Sequence, residues 1–350
     1  MKKAILLTNG LFNTENAKTA HGLIRESNRF TIVGVVDNTC AGNDAGFILD
    51  GKHRGILVYA SVAEAMVAQP EVCIVGVATS GGIFPGTLLD EVKEAIECKL
   101  DIVNGLHDHL NERPEIKMLA AKNNVELIDI RRPKKLNELH FWTGKIFEIT
   151  TPTIAVIGTD CALGKRTTAR FVMNACNAAG INAQMIYTGQ TGWLQGGKYG
   201  FIFDSTLNDF VSGELEHAIL TCSEETNPDI MLIEGQSALR NPTGPCGSEM
   251  LITGNAKAVI LVTAPKRIFY EHEPGWGKIP SLESEIELIK QLGSTVIAIA
   301  INTEHCTDEE AFNFQKEYEE KLEIPVMLPL QEGCEKIVPV IKDLIGKQNT

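Results

Sequence analysis

No stretch of the 350-residue sequence approaches the roughly 20 consecutive apolar residues that a membrane helix needs, which excludes a helical span. A secretory leader is not expected, since Met1-Lys2-Lys3 leads straight into a short strand-like run, Ala4 to Thr8. Cys-x-x-Cys pairs are absent as well. The nine cysteines, scattered from Cys40 to Cys334, are odd in number and suit reduced thiols better than a disulfide framework or a zinc site. A cytoplasmic location without a bound metal is the resulting expectation. Cations are in deficit, with 32 Lys and Arg against 45 Asp and Glu. The formal net charge of -13 argues against nucleic acid or an anionic membrane as the main partner. Repeats, low-complexity tracts and coiled-coil heptads are missing too. What remains is a globular protein of two ordinary domains acting on a small molecule, with a homo-oligomer as the expected assembly.

The first domain, residues 1–130, alternates strand and helix signals. Apolar runs at Ala4–Leu7, Thr31–Val36 and Val72–Val77 predict strands, with further strands at Asp101–Val103 and Glu126–Ile128. Helical patterns fall at Thr19–Glu26, Val62–Val67 and Leu88–Cys98. This rhythm predicts a Rossmann-like open parallel sheet. Asp37 ends the second strand, where a dinucleotide fold often places its ribose-binding acid. The Gly-x-Gly-x-x-Gly fingerprint is missing after the first strand, however, so no NAD site is expected. Residues 131–150 open with the basic run Arg131-Arg132-Pro133-Lys134-Lys135 and read as a solvated inter-domain connection.

From residue 151 to 350 a second α/β series begins. Strands are expected at Thr153–Ile157, Ala183–Tyr187, Asp229–Ile233, Ala258–Val262, Thr295–Ile301 and Pro325–Met327. Helices are expected at Thr167–Ala179 and Leu282–Leu292, each closed by a glycine. The first strand runs into Gly158-Thr159-Asp160-Cys161-Ala162-Leu163-Gly164-Lys165-Arg166-Thr167-Thr168. A strand, a glycine loop and a helix with Gly-Lys at its mouth are what a phosphate cradle requires. Loop N–H groups and the positive end of the helix converge on the anion, and the lysine adds a point charge. Five residues rather than four separate the glycines, and Arg166 stands where a magnesium-holding Ser or Thr usually follows the lysine. The loop therefore reads as a binder of a phosphorylated ligand that is not a routine ATPase. Cys161 could be activated by the helix N-terminus, but a small inward-facing loop residue is the simpler reading.

Other candidates cluster at strand ends. Glu234 follows the strand Asp229–Ile233, where an acid can hold a metal or act as a base beside ligand phosphates. That strand is expected to lie next to the phosphate-loop strand. Gly189, Gln190 and Thr191 follow another strand and look like a ligand wall, small enough for close backbone approach. Asp204 is either the cap of a helix starting near Ser205 or a catalytic acid, and Asp209 lies near that helix start. Lys266 and Arg267 are available for a carboxylate or phosphate. His272 is a candidate base, though a lone histidine is more often structural. Asn302 ends a strand where related folds read adenine.

Together these residues resemble a family of P-loop proteins long catalogued only as a domain of unknown function and associated with D-glutamate N-acetyltransferases of the DgcN type. The matching stretches include Ala41–Gly46, Gly81-Gly82, Gly105-Leu106-His107, Asp129-Ile130-Arg131, Gly158–Lys165, Thr188–Gly192, Asp209-Phe210, Glu234-Gly235-Gln236 and Asn302-Thr303. The resemblance implies a Rossmann-like domain followed by a P-loop NTPase-like α/β domain. It also implies acetyl transfer from acetyl-CoA to the amine of D-glutamate. On that reading residues 158–168 and Asn302 bind the CoA. One of Glu234, Asp204, Asp209 and His272 takes the amine proton. Gly189, Gln190, Thr191, Gln236, Arg240, Lys266 and Arg267 hold the acceptor. The segment Ser237–Cys246 and Leu328-Pro329-Leu330 depart from the family pattern. Rival readings are an ATP-dependent ligase or kinase of the dethiobiotin-synthetase type, with Lys165, Thr167 and Glu234 holding MgATP, and a nucleotide-operated switch.

Overall fold

A computed structural model describes residues 1–348, which form two compact α/β units. The first comprises residues 1–134 together with 190–196, and the second the remainder. The expected solvated connection of residues 131–150 is thus largely part of the second unit.

In the first unit the chain runs β1 (Lys2–Leu7), α1 (Lys18–Arg25), β2 (Phe30–Val36), α2 (Ala45–Asp50), β3 (Leu57–Tyr59) and α3 (Val62–Ala65). It continues with β4 (Val72–Val75), α4 (Gly86–Glu97), β5 (Asp101–Asn104), α5 (Pro114–Asn123) and β6 (Leu127–Asp129). All six strands are parallel, in the order β3-β2-β1-β4-β5-β6. This is the Rossmann strand order. Ala4, Ile5, Leu6 and Leu7 are all fully buried, because helices cover both faces of a parallel sheet. The short edge strand β3 and the helices α2 and α5 were not expected. β3 is three residues long, and α5 buries only Ile116 and Ala120, so neither prints a clear periodicity.

Asp37 does end β2, but its carboxylate is buried and already occupied. It accepts hydrogen bonds from Thr8 Oγ1 (2.8 Å), the Phe12 N–H (2.9 Å) and the Thr39 N–H (3.0 Å). Burial pushes its pKa up, and the bonds from Thr39, Thr8 and Phe12 outweigh that and hold it below the usual value. Asp37 therefore clasps the turn after β1.

The chain continues through β7 (Thr153–Gly158), α6 (Lys165–Ala178) and β8 (Ala183–Tyr187) of the second unit, and then α7 (Gln190–Leu194), which belongs to the first unit. There follow β9 (Tyr199–Gly200), α8 (Asn208–Thr226), β10 (Ile230–Glu234), α9 (Ser248–Ile252), β11 (Ala258–Thr263) and α10 (Leu282–Gln291). The series closes with β12 (Thr295–Ile301), α11 (Asp308–Leu322), β13 (Val326–Met327) and α12 (Val338–Gln348). Seven parallel strands stand in the order β13-β12-β11-β7-β10-β8-β9. β7 is central, with β11 on one side and β10 on the other. Among the described residues no helix is long and apolar enough to cross a membrane.

Residues 139–149 are mostly exposed apart from buried Ile146, yet their backbone is tied to α8. Glu214, buried in that helix, accepts from the His140 N–H at 2.8 Å. Glu216, also buried, accepts from the Thr143 N–H (2.6 Å) and the Ile146 N–H (3.1 Å). Two helix carboxylates thus satisfy backbone donors of a segment whose own regular structure is one short 3-10 turn, Lys145–Glu148, which is why this exposed stretch is held in place.

Glu91 on α4 is the electrostatic weak point of the first unit. Its Oε2 is buried without a hydrogen-bond partner. Burial raises its pKa to about 7, with Asn9 opposing the shift and Asp37 and Glu94 adding to it. Because this folded value lies above the unfolded one, proton binding stabilises the fold below the unfolded pKa, and that stabilisation is lost as pH rises through about 7. Thermal unfolding at pH 5.5 and pH 8 should show a lower Tm at pH 8, and Glu91→Gln should reduce the difference; an unchanged difference would clear Glu91 of this role.

Candidate active site

The phosphate loop leaves β7 at Gly158 and enters α6 at Lys165. Gly164, just before the helix, has φ +89°, a left-handed conformation that a side chain would strain, and this turn aims the first N–H groups of α6 into the loop. Lys165 is buried, and its Nζ donates to the Asp160 carbonyl at 2.6 Å across the loop.

Side chains from three neighbouring segments hold the loop in shape. The Asp160 carboxylate is fully buried and accepts from Arg267 Nη1 (3.0 Å), Asn241 Nδ2 (2.9 Å) and the Glu271 N–H (2.7 Å). Arg267 also donates to the Cys161 carbonyl (2.7 Å), while its other edge pairs with Glu304 through Nε (2.6 Å) and Nη2. Asn302 Nδ2 donates to the Leu163 carbonyl (3.1 Å), and Asn302 Oδ1 accepts from the Glu304 N–H (3.0 Å). At the start of the loop the Thr159 N–H donates to the Val262 carbonyl at 2.9 Å. Asn302, expected to face adenine, thus anchors the loop. Arg267, expected to bind substrate, is a buried strut of the cradle. Burial works against its charge, and the Glu304 and Asp160 carboxylates outweigh that and hold its pKa above the ordinary value.

Glu234 ends β10 directly beside β7, in register with Val156. It is only 4% exposed. Its Oε2 accepts from the Thr188 N–H (3.1 Å), its carbonyl from Thr188 Oγ1 (2.7 Å), and Gln236 Nε2 donates to the same hydroxyl (2.8 Å). Burial raises the Glu234 pKa, opposed first by the Arg166 charge, then by the N–H groups of Thr188 and Gly189 and by Lys165. Gly189 packs closely here, since a Cβ there would lie 3.0 Å from Gln236 Nε2 and crowd that side chain.

The remaining candidates are dispersed. Gln190 and Thr191 form the start of α7 rather than an open loop, and their partners lie in the first unit: Arg131 Nη2 donates to Gln190 Oε1 (3.0 Å), and the Thr191 and Thr19 hydroxyls are 3.0 Å apart. Asp204 lies in a short turn and is exposed. α8 begins only at Asn208, so Asp204 does not cap it, and Asp209, also exposed, sits in its first turn. His272 is exposed, with Nε2 3.5 Å from Glu304. Arg240 pairs with buried Glu285 (2.8 Å) and Lys266 with Glu310 (2.6 Å), so neither is an uncommitted cation. The Cys161 thiol is pushed up by burial, against Ser237 and Lys165, so it is not an activated thiolate. Asn241, Glu271 and Glu304 were not anticipated, because their segments carry no phosphate-loop signature of their own.

A strand-borne glycine loop with a buried lysine, and a buried acid on the adjacent strand, define a P-loop domain; the preceding unit is Rossmann-like. The C-terminal P-loop domain of the DUF1611 family, a domain of unknown function, matches residues 140–338, and its N-terminal Rossmann-like domain matches residues 38–133. The chain belongs to the DUF1611 family. It is 30% identical over 284 residues to a protein of Pseudoalteromonas sp. named D-glutamate N-acetyltransferase, covering 79% of this chain and 83% of that one. A protein of the same name from Tritonibacter scottomollicae is 27% identical over 288 residues, covering 80% and 84%. The crystal structure of a DUF1611 family protein from Anabaena variabilis superposes with a TM-score of 0.89 at 25% identity, covering 98% of this chain and all of that one.

Arg267→Ala should lower stability by about 3–5 kcal/mol, because it strands the buried Asp160 carboxylate. Denaturant unfolding of the variant measures this, and a loss below about 1 kcal/mol, the worth of an exposed ion pair, would mean that the strut is not a buried pair in solution.

Proposed function

We propose that the protein transfers the acetyl group of acetyl-CoA to the amine of an acidic amino acid, D-glutamate being the first acceptor to test. The observation that carries this reading is Glu234, a buried carboxylate with a raised pKa at the end of the strand beside the phosphate loop. The names of the two curated relatives support the same chemistry.

In this reading the CoA phosphates lie on the N–H groups of residues 158–168, with Lys165 as counter-charge. The acceptor amine must lose a proton to become a nucleophile, and Glu234 takes it. The amine nitrogen then attacks the thioester carbonyl carbon, the carbon–oxygen π bond opens to an oxyanion, and its collapse breaks the carbon–sulfur bond. The amide nitrogen sheds its remaining extra proton, and the CoA thiolate leaves as the thiol. Burial suits Glu234 to this work, since a raised pKa brings a carboxylate closer to the basicity the step needs. Asp204, Asp209 and His272 are exposed rather than buried beside the loop.

Incubation with acetyl-CoA and D-glutamate should release free thiol and give a product heavier by one acetyl group in a mass spectrum. No thiol release with any amino acid tested, together with acceptor-dependent ADP formation from MgATP, would overturn this reading in favour of a ligase. The glutamate variant is a sharper probe. Glu234→Gln should lower kcat by roughly 10²–10⁴-fold while changing acetyl-CoA affinity little. In the parent protein kcat should rise with pH through the elevated pKa of Glu234, and the variant should lose that limb. A variant with near-normal kcat would remove Glu234 as the base.

A further inference from the structure

P-loop proteins ordinarily grip a nucleotide phosphate through Mg²⁺, held by the hydroxyl that follows the loop lysine and by an acid on a neighbouring strand. The positions that usually hold that ion do not fit it here. The position after Lys165 is Arg166, which has no oxygen to offer. Glu234, the neighbouring-strand acid, faces Arg166 as its strongest opposing charge and has Lys165 nearby as well. Asp160, the acid of the loop itself, is fully buried and taken up by Arg267, Asn241 and the Glu271 N–H. Among the described residues one cluster of three side chains has metal-ligating spacing, Asp160, Cys161 and Glu271. Its Asp160 carboxylate is 3.0 Å from the Arg267 guanidinium, and Glu271 Oε1 accepts from Thr243 Oγ1 (3.1 Å). A divalent cation entering there would meet the resident Arg267 charge beside Asp160, and a Glu271 oxygen already engaged by neutral donors.

We propose that Arg166 is the specificity-determining residue of the loop, making it a metal-independent site that selects a free diphosphate, such as that of CoA or ADP, over a magnesium-complexed nucleotide. The inference rests on the phosphate-loop part of the functional reading and not on the acceptor or on acetyl transfer. Arg166 is the second residue of α6, at the mouth of the helix, and a guanidinium carries the paired N–H donors that suit a bidentate anion contact. Lys165 and the helix N-terminus supply the rest of the positive field. The anion is therefore neutralised by fixed protein charge and needs no ion brought along with it.

The test is calorimetric titration of the full chain with CoA and, separately, with ADP, each in EDTA and in excess Mg²⁺. The parent protein should bind CoA with affinities that agree within about twofold in the two buffers, a difference too small for a metal-bridged diphosphate. Arg166→Thr, which restores the missing hydroxyl, should lose about 10–100-fold in CoA affinity in EDTA, the scale of charge-assisted hydrogen bonds to an anion, and regain part of it with Mg²⁺. Arg166→Lys keeps the charge without the fork, so it should weaken binding less and remain indifferent to Mg²⁺. Tightening of the parent's binding by tenfold or more on adding Mg²⁺ would overturn the proposal, as would Arg166→Thr binding in EDTA like the parent. The parent titrations decide the matter even if Arg166→Thr fails to fold. Metal-free binding of ADP without binding of CoA would sink the transferase reading and leave this inference standing, and binding of neither would remove both.

Discussion

The phosphate loop depends on one buried ion pair. Asp160 and Arg267 meet with almost no exposure of either side chain. A pair in that position is stable only when every remaining donor and acceptor is satisfied, because burial removes the water that would otherwise solvate both charges. Asn241, the Glu271 N–H, Glu304 and the Cys161 carbonyl complete that set. The consequence is a cradle whose carbonyls and side chains are fixed by the protein before any ligand arrives. Preorganised donors avoid the cost of ordering a flexible loop at the moment of binding.

The same economy of charge governs the neighbouring acid. A chain of net charge -13 would bind any anion against its own field, so positive charge has to be concentrated at a site meant for one. Lys165, Arg166 and the start of α6 supply that concentration. They also act on Glu234: burial raises its pKa and these cations limit the rise. The burial and the cations both come from the same few residues around the loop, so the acid and the loop share one electrostatic environment.

The second sheet places these groups by the logic of parallel α/β architecture. Every strand of the second sheet points its carboxyl end the same way, so the loops after β7, β10, β11 and β12 gather at one edge. Gly158, Glu234, Arg267 and Asn302 come from those four loops or strand ends, although 144 residue numbers separate the first from the last. A ligand site at the carboxyl edge of such a sheet is the general outcome of this topology.

The sequence by itself determined the alternation of elements, the two α/β units and the phosphate loop. Those signals are local: strand runs, helix stops and a Gly-Lys pair are readable within a dozen residues, and β7, β8, β12 and the start of β10 lie within a residue of where the apolar runs put them. Elements with weak local pattern, the three-residue β3 and the sparsely buried α5, were missed for the same reason. The partners of the charged residues were decided only by the tertiary structure. Arg267 reads as an available cation until Asp160, 107 positions away, is found beside it, and Gln190 reads as a loop wall until α7 is found among residues of the first unit. The role of a charge is set by what compensates it, and compensation acts through space, which a linear pattern does not record.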